Sequence, residues 1–264
     1  MKLLLTLSLI LLQPMAFSAE KSLIDVVLHK KIRHHNLRPL PTFAKKQNRA
    51  QIELGKRLFS DTILSGNNRV SCQTCHTVEG ATSDKLPLSR SEDTKGILRR
   101  NTPSLFNSGL ADKSFMFLDG RVHFDSKNNI FTTPEDSFNG VNPKAIEITS
   151  VMSSSLAAQA LFPIVTHDEM LGRKGENEIA DSKSNLEAWD KIVGRLKKSQ
   201  YSKLFQQAYP NTPIERINIG HVGEAIAAFE QEEFVAMNTP LQRYLNGDDD
   251  AMTTNQKRGF FIFM

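Results

Sequence analysis

The sequence predicts an all-α protein with a long irregular middle. Three observations carry that prediction. Apolar stripes of helical period lie on either side of the centre, and no stretch sustains the alternation of a half-buried strand. Residues 77 to 185 are rich in Gly, Ser, Asn and Pro and keep neither period. Of the 264 residues, 39% are hydrophobic. That share is low for the length, and a buried apolar group other than side chains would make up the difference. The formal charge of +4 is mild. Basic residues gather between positions 29 and 57, with a single aromatic, Phe43, among them. They read as a solvated face in preference to a docking patch for an acidic partner, and nucleic acid is not indicated.

Taken in order, "MKLLLTLSLILLQPMAFSAEKS" combines Lys2, an apolar run from Leu3 to Leu12, and the small residues Ala16, Ser18 and Ala19. The run is too short to span a bilayer and predicts a signal peptide over 1–18, cleaved after Ser18 or Ala19. Loss of Lys2 leaves a charge of about +3. No later stretch is apolar enough to cross a membrane, so an exported protein is expected. In a bacterium that means the periplasm, where thiols are oxidised unless otherwise engaged.

"NRAQIELGKRLFSD" places Ala50, Leu54 and Leu58 on one stripe, widened by Phe59, and predicts a helix. The turn "SGNN" at 65–68 delivers the chain to "SCQTCHTVEG", which holds the only two cysteines, Cys72 and Cys75, with His76 directly behind them. A disulfide across two residues would stabilise little. A thioredoxin-like site wants a strand ahead of the pair, and none is indicated. Zinc needs four ligands, and the next histidine is His123. Covalent c-type haem has the signature Cys-x-x-Cys-His: two sulfurs on one face of a helical turn form thioethers, and the following histidine reaches the iron. The motif therefore predicts haem c.

Further on, "NLEAWDKIVGRLKK" repeats the helical pattern with Leu186, Trp189, Val193 and Leu196. "TPIERINIGHVGEAIAAFEQEEF" predicts a helix starting near Pro213 that buries Val222, Ile226 and Phe229. The irregular region between these helices is too long for a plain connection and is expected to carry a site or wrap a cofactor.

The blocks "LGKRLFSDTILSGNNRVSCQTCH", "RRNTPSLFNSGL", "FMFLDGRV", "LAAQALFPIVTHDEM" and "AIAAFEQ" occur in this order. Together the chain from about residue 50 onward resembles the bacterial di-haem cytochrome c peroxidase family. That family also includes the enzyme that matures the tryptophan-derived quinone of methylamine dehydrogenase. The resemblance implies a cytochrome c-like haem domain with long irregular loops over 19–236, and the start of a second cytochrome c-like domain over 237–264. It implies one covalent haem c on Cys72 and Cys75, with His76 as proximal iron ligand, and a second haem in the full-length protein. On the distal side it implies Gln159, Pro163 four residues later, and Glu169 as the group that handles the peroxide proton. A carboxyl in a dry pocket has a raised pKa and can both take and return a proton. Asn101 in "RRNTPSL" matches an asparagine that helps hold calcium. The substrate implied is hydrogen peroxide, the electron donor a small cytochrome c or copper protein, and the assembly a homodimer.

Three departures from the family pattern stand out. Leu118 precedes Asp119, Gly120 and Arg121 where many members have a tryptophan that relays electrons between the haems. No histidine lies between His76 and His123 to block the distal iron, and His123 and His167 read as loop histidines. A second Cys-x-x-Cys-His is absent, and "TTNQKRGFFIFM" resembles the first helix of the second haem domain, so the sequence reads as truncated there. Two rival functions share these residues. One is an electron-transfer cytochrome with Met116, Met152 or His167 as a strong distal ligand. The other is a same-fold oxidase acting on a protein or organic substrate.

Overall fold

A computed structural model describes residues 22–41, 48–93, 95–110, 113–139 and 143–264. The signal peptide expected over 1–18 lies outside them. The helices and strands run in the order α1 (Leu23–His34), α2 (Arg49–Ser60), α3 (Cys72–Cys75), β1 (Phe115–Met116), β2 (Val122–Asp125), β3 (Ile130–Thr132), α4 (Pro143–Thr149), α5 (Ser155–Gln159), α6 (Asn185–Lys197), α7 (Tyr201–Ala208), α8 (Ile219–Glu233), α9 (Pro240–Leu245) and α10 (Thr254–Phe263). About half of the described residues are helical and few are strand. No helix among the described residues is long and apolar enough to cross a membrane.

The chain divides into two units. The larger spans Pro41–Ala236 and the smaller joins the residues up to Leu40 with Met237–Met264. In the larger unit α8 is the central post. Val222, Ala225, Ile226 and Phe229 are buried along it, as the apolar period requires. Helix α2 lies against it at very short range: a Cβ on Gly55 would sit 1.9 Å from the Ala225 carbonyl oxygen. On another face of α8, a Cβ on Gly223 would meet the Ala157 carbonyl of α5 at 2.4 Å. Small residues thus set how closely these backbones approach. Leu54, Leu58 and Phe59 of α2, and Trp189, Val193 and Leu196 of α6, fill the same core. The Trp189 indole donates to the Leu161 carbonyl (3.3 Å) and stacks on Phe138 with centroids 4.8 Å apart.

Two expectations need correction. Helix α8 begins at Asn218, whose side chain accepts from Gly220 N–H and forms a reciprocal cap with His221, whereas Pro213 opens only the short 3-10 turn Ile214–Arg216. The Asn218 cap satisfies free helix donors, which a proline cannot do. The fold is also not purely helical. Residues 115–132 form a three-stranded antiparallel sheet with registers Phe115↔His123 and Phe124↔Phe131. Its strands are two to four residues long, too short for alternation to stand out, although Val122 and Phe124 point inward while His123 and Asp125 are half-exposed.

The smaller unit packs Leu28, Tyr244 and Met252 around a buried polar centre. Asp25 receives the Lys257 ammonium at 2.7 Å, the Tyr244 hydroxyl at 2.8 Å and the Ser22 hydroxyl. Burial alone would raise its pKa, but these partners outweigh burial and hold it to about 2.

Candidate functional site

The approach to the cysteine pair is pinned before it begins. The Arg195 guanidinium of α6 donates to the carbonyls of Ile63 (2.9 Å), Ser65 (2.7 Å) and Gly66 (3.2 Å), and to Asn68 Oδ1 (2.9 Å). Ser71 and Thr74 then form a capping box that starts α3, a single turn holding Cys72 and Cys75 at i and i+3. Residues three apart share a helix face, so both thiols face the same side. Both cysteines are free and half-buried. Burial pushes the Cys72 thiol up to about 12, helped by the carboxyl of Glu230 and by Cys75. A thiol so disposed is a poor thiolate, which argues against a redox-exchange cysteine.

His76 follows as the residue that ends α3. Its Nδ1 hydrogen bonds to the Thr82 carbonyl at 2.8 Å. A carbonyl only accepts, so Nδ1 carries the proton and Nε2 the lone pair. Burial lowers the His76 pKa, against the opposing pull of the Thr82 carbonyl and Asp84, and this favours the neutral, ligating form. Phe59 flanks the imidazole at 6.3 Å and leads to Phe229 (5.3 Å) and Phe234 (5.6 Å).

Glu230, on the last turns of α8, lies within the block "AIAAFEQ" but has no role in the sequence reading. It is 5% exposed, and its Oε2 is buried without a hydrogen-bond partner. Burial pushes its pKa up to about 8. The charge of this same carboxyl bears on Cys72. An orphaned buried oxygen, on a carboxyl whose charge acts on Cys72, marks an interior that protein atoms alone do not complete. Two free thiols on one helix face, an imidazole with Nε2 as its lone-pair nitrogen, an aromatic wall and this incomplete interior fit a c-type haem.

The residues predicted for the distal side lie on one continuous run. Gln159 is the last residue of α5 and is half-buried; Pro163 opens the 3-10 turn Pro163–Val165. Glu169 sits in a π turn, His167–Leu171. Burial raises the Glu169 pKa; Arg121 opposes the rise and Asp168 adds to it. The negative charge of Glu169 in turn helps raise the Cys75 thiol. The structure therefore brings Glu169 into the electrostatic neighbourhood of the cysteine motif, 94 positions earlier in the chain. Arg121 is held over the Phe117 ring at 3.5 Å and paired with Asp119 at 3.0 Å.

Other candidates sit elsewhere. Asn101 is exposed in an irregular segment, and no cluster of three or more His, Cys, Asp or Glu suited to a metal ion occurs among the described residues. Met116 and Met152 are buried in the core. His167 spends Nδ1 on the Gly172 carbonyl (2.6 Å), and His123 stacks on Phe115 (4.2 Å). Leu118 is 89% exposed.

Comparison with known proteins points the same way as the geometry. The family model for di-haem cytochrome c peroxidase matches residues 49–250. A cytochrome-c peroxidase IdrP2 from Denitromonas iodatirespirans is 30% identical over 228 residues, 86% of this chain and 48% of the relative. A cytochrome c551 peroxidase from Pseudomonas aeruginosa is 28% identical, over 81% of this chain and 47% of the relative. The methylamine utilization protein MauG of Methylorubrum extorquens is 30% identical, over 81% of this chain and 46% of the relative. The chain spans about half the length of these curated relatives.

Proposed function

This chain belongs to the di-haem cytochrome c peroxidase family, and on that premise we propose that it carries the peroxide-reactive half of an enzyme that reduces hydrogen peroxide to water. The observation that carries the reading is the hydrogen bond from Gly66 N–H to the Met170 carbonyl (2.8 Å), which ties the Glu169 turn to the loop that leads into Cys72, Cys75 and His76. Cys72 and Cys75 would hold the haem by two thioethers, and His76 Nε2 would ligate its iron. When bound, that group supplies the iron at which peroxide reacts and the electrons that cleave its O–O bond.

The chain's own part in the chemistry is proton handling. Glu169 takes the proton from one peroxide oxygen and returns it to the other, which leaves as water. Burial raises its pKa, which makes the carboxylate a stronger base for taking the proton from peroxide. The Gln159 amide orients peroxide but cannot shuttle its proton. Pro163, with its fixed φ and no N–H, sets the entry to the turn that leads to Glu169. The Thr82 carbonyl keeps the His76 tautomer in place.

We assign the electron donor to a small cytochrome c or copper protein and the place of action to the periplasm, in line with the export signal read over 1–18. Calcium near Asn101, a second haem and a homodimer belong to the same proposal. The 30% identity to a methylamine utilization protein supports a second reading, an oxidase on the same fold. The deciding experiment is an absorption spectrum of the haem-loaded ferric protein before and after hydrogen peroxide, followed by turnover with a reduced small cytochrome. A spectral change with turnover supports the peroxidase. A change without turnover favours the oxidase, and an inert low-spin spectrum points to an electron-transfer cytochrome.

A further inference from the structure

The turn that carries Glu169 is held from outside itself. Within it, the N–H groups of Glu169, Met170 and Leu171 all point to the Thr166 carbonyl at 3.1 Å. Its carbonyls therefore need other donors, and each of three receives one from a different segment. Glu92 N–H donates to the Asp168 carbonyl (2.8 Å) and Gly66 N–H to the Met170 carbonyl (2.8 Å). Asn177 Nδ2 donates to the Leu171 carbonyl at 3.1 Å. The fit around Gly66 is close: a Cβ there would lie 2.0 Å from the Leu171 carbonyl oxygen.

The Asn177 amide is fully committed. Its oxygen accepts from the N–H groups of Ile179 (3.1 Å) and Ala180 (2.8 Å), and Nδ2 also donates to Asn67 Oδ1 (3.0 Å). Asn67 passes the connection on by donating to Glu92 Oε1 at 3.0 Å. The Glu92 side chain is only 2% exposed, so this acceptor sits where water does not compete freely. Asn67 lies five positions before Cys72, in the loop that Arg195 pins. One hydrogen-bond chain thus ties the Glu169 turn to the segment that delivers the cysteine motif.

We infer that Asn177, acting through Asn67 and Glu92, is a positioning residue that fixes where Glu169 stands relative to the Cys72–Cys75–His76 turn. The inference rests on the reading of Glu169 as the proton-transfer group. A π turn whose carbonyls at Asp168, Met170 and Leu171 take their donors from three separate segments is placed by those segments, and π turns recur at functional sites. Proton transfer needs hydrogen-bond reach, so a small displacement of the carboxyl is enough to slow it.

The test is a double-mutant cycle in the haem-loaded protein, with stopped-flow mixing against hydrogen peroxide and hydrogen exchange of the amides at 168–172. Asn177→Ala removes both donations. Asn177→Asp keeps the acceptor oxygen and the shape, and serves if the alanine variant does not fold. Either is expected to slow the peroxide reaction by about 10- to 100-fold, the penalty for a misplaced reacting group, and to speed exchange in the Glu169 turn. In a Glu169→Gln background the same substitution should add no further loss. Losses that multiply, or an Asn177 variant that reacts at the parent rate while Glu169→Gln is slow, would overturn the positioning role and leave the Glu169 reading standing. A Glu169→Gln protein that reacts at the parent rate would overturn both.

Discussion

Asp25 and Glu230 are both acids with almost no exposure, 3% and 5%, yet their surroundings differ completely. Asp25, in the smaller unit, meets an ammonium and two hydroxyls and stays ionised, with a pKa of about 2. Glu230, in the larger unit, has an oxygen with no partner and is pushed up to about 8 by burial. The first interior is closed by the chain's own side chains, as buried charges require. The second holds a carboxyl oxygen that the chain's own side chains leave unsatisfied, and its charge acts on Cys72. A satisfied buried acid marks structure, and an unsatisfied one marks a place where the chain is built around something else.

The largest effect that can break this contrast concerns the open interior. Cys72→Ala with Cys75→Ala should abolish covalent haem completely, read by haem staining after denaturing gel electrophoresis. A doubly substituted protein that still stains would show that neither sulfur is needed there.

Next in size is the closed interior. Asp25→Asn strands the Lys257 ammonium, which is only 10% exposed, and should cost about 3 kcal/mol in urea unfolding. The sign with pH follows from a depressed carboxyl. The parent's stabilisation is present above its ordinary value of 3.8 and is lost as pH falls towards about 2. The asparagine variant should lack that acid-induced loss, and an equal loss in both proteins would remove Asp25 from the account.

An effect with the opposite sign belongs to Glu230. A carboxyl with a raised folded pKa favours folding below its ordinary value of 4.5, and that contribution is lost as pH rises to about 8. Unfolding free energy of the parent should therefore fall across this window. Glu230→Gln should flatten the slope, and an unchanged slope would mean that Glu230 is solvated or paired after all.

Much of the helical frame was legible because its signals are local. Leu54 and Leu58, or Trp189 and Val193, recur with a helical period whatever packs against them. The haem motif is likewise contiguous. The sheet at 115–132 was hidden because Val122 and Phe124 offer only two inward positions. Helix α8 was started too early because Pro213 is a weaker signal than the Asn218 cap that the structure uses. Glu230 lies in "AIAAFEQ", where the apolar period marks Ile226 and Phe229 but says nothing about a buried acid; its burial is a product of the fold. Asn67, Glu92 and Asn177 sit in segments whose composition reads as ordinary loop, and only the fold brings their amides and carboxyl within 3.0 Å. The tie between the Glu169 turn and the loop before Cys72, through Gly66 N–H and the Met170 carbonyl, is tertiary in the same sense, and no spacing along the chain encodes it.

The central claim is that Glu169 moves the peroxide proton, and its most direct test is the rate of the spectral change when the haem-loaded protein meets hydrogen peroxide across pH. Glu169→Gln is nearly isosteric and should leave the resting spectrum unchanged while slowing the reaction by about two to four orders of magnitude. In the parent the acid limb of the rate should lie above the ordinary carboxyl value of 4.5, because burial raises Glu169, and the glutamine variant should lose that limb. A variant that reacts as fast as the parent, with the same pH profile, would contradict the account.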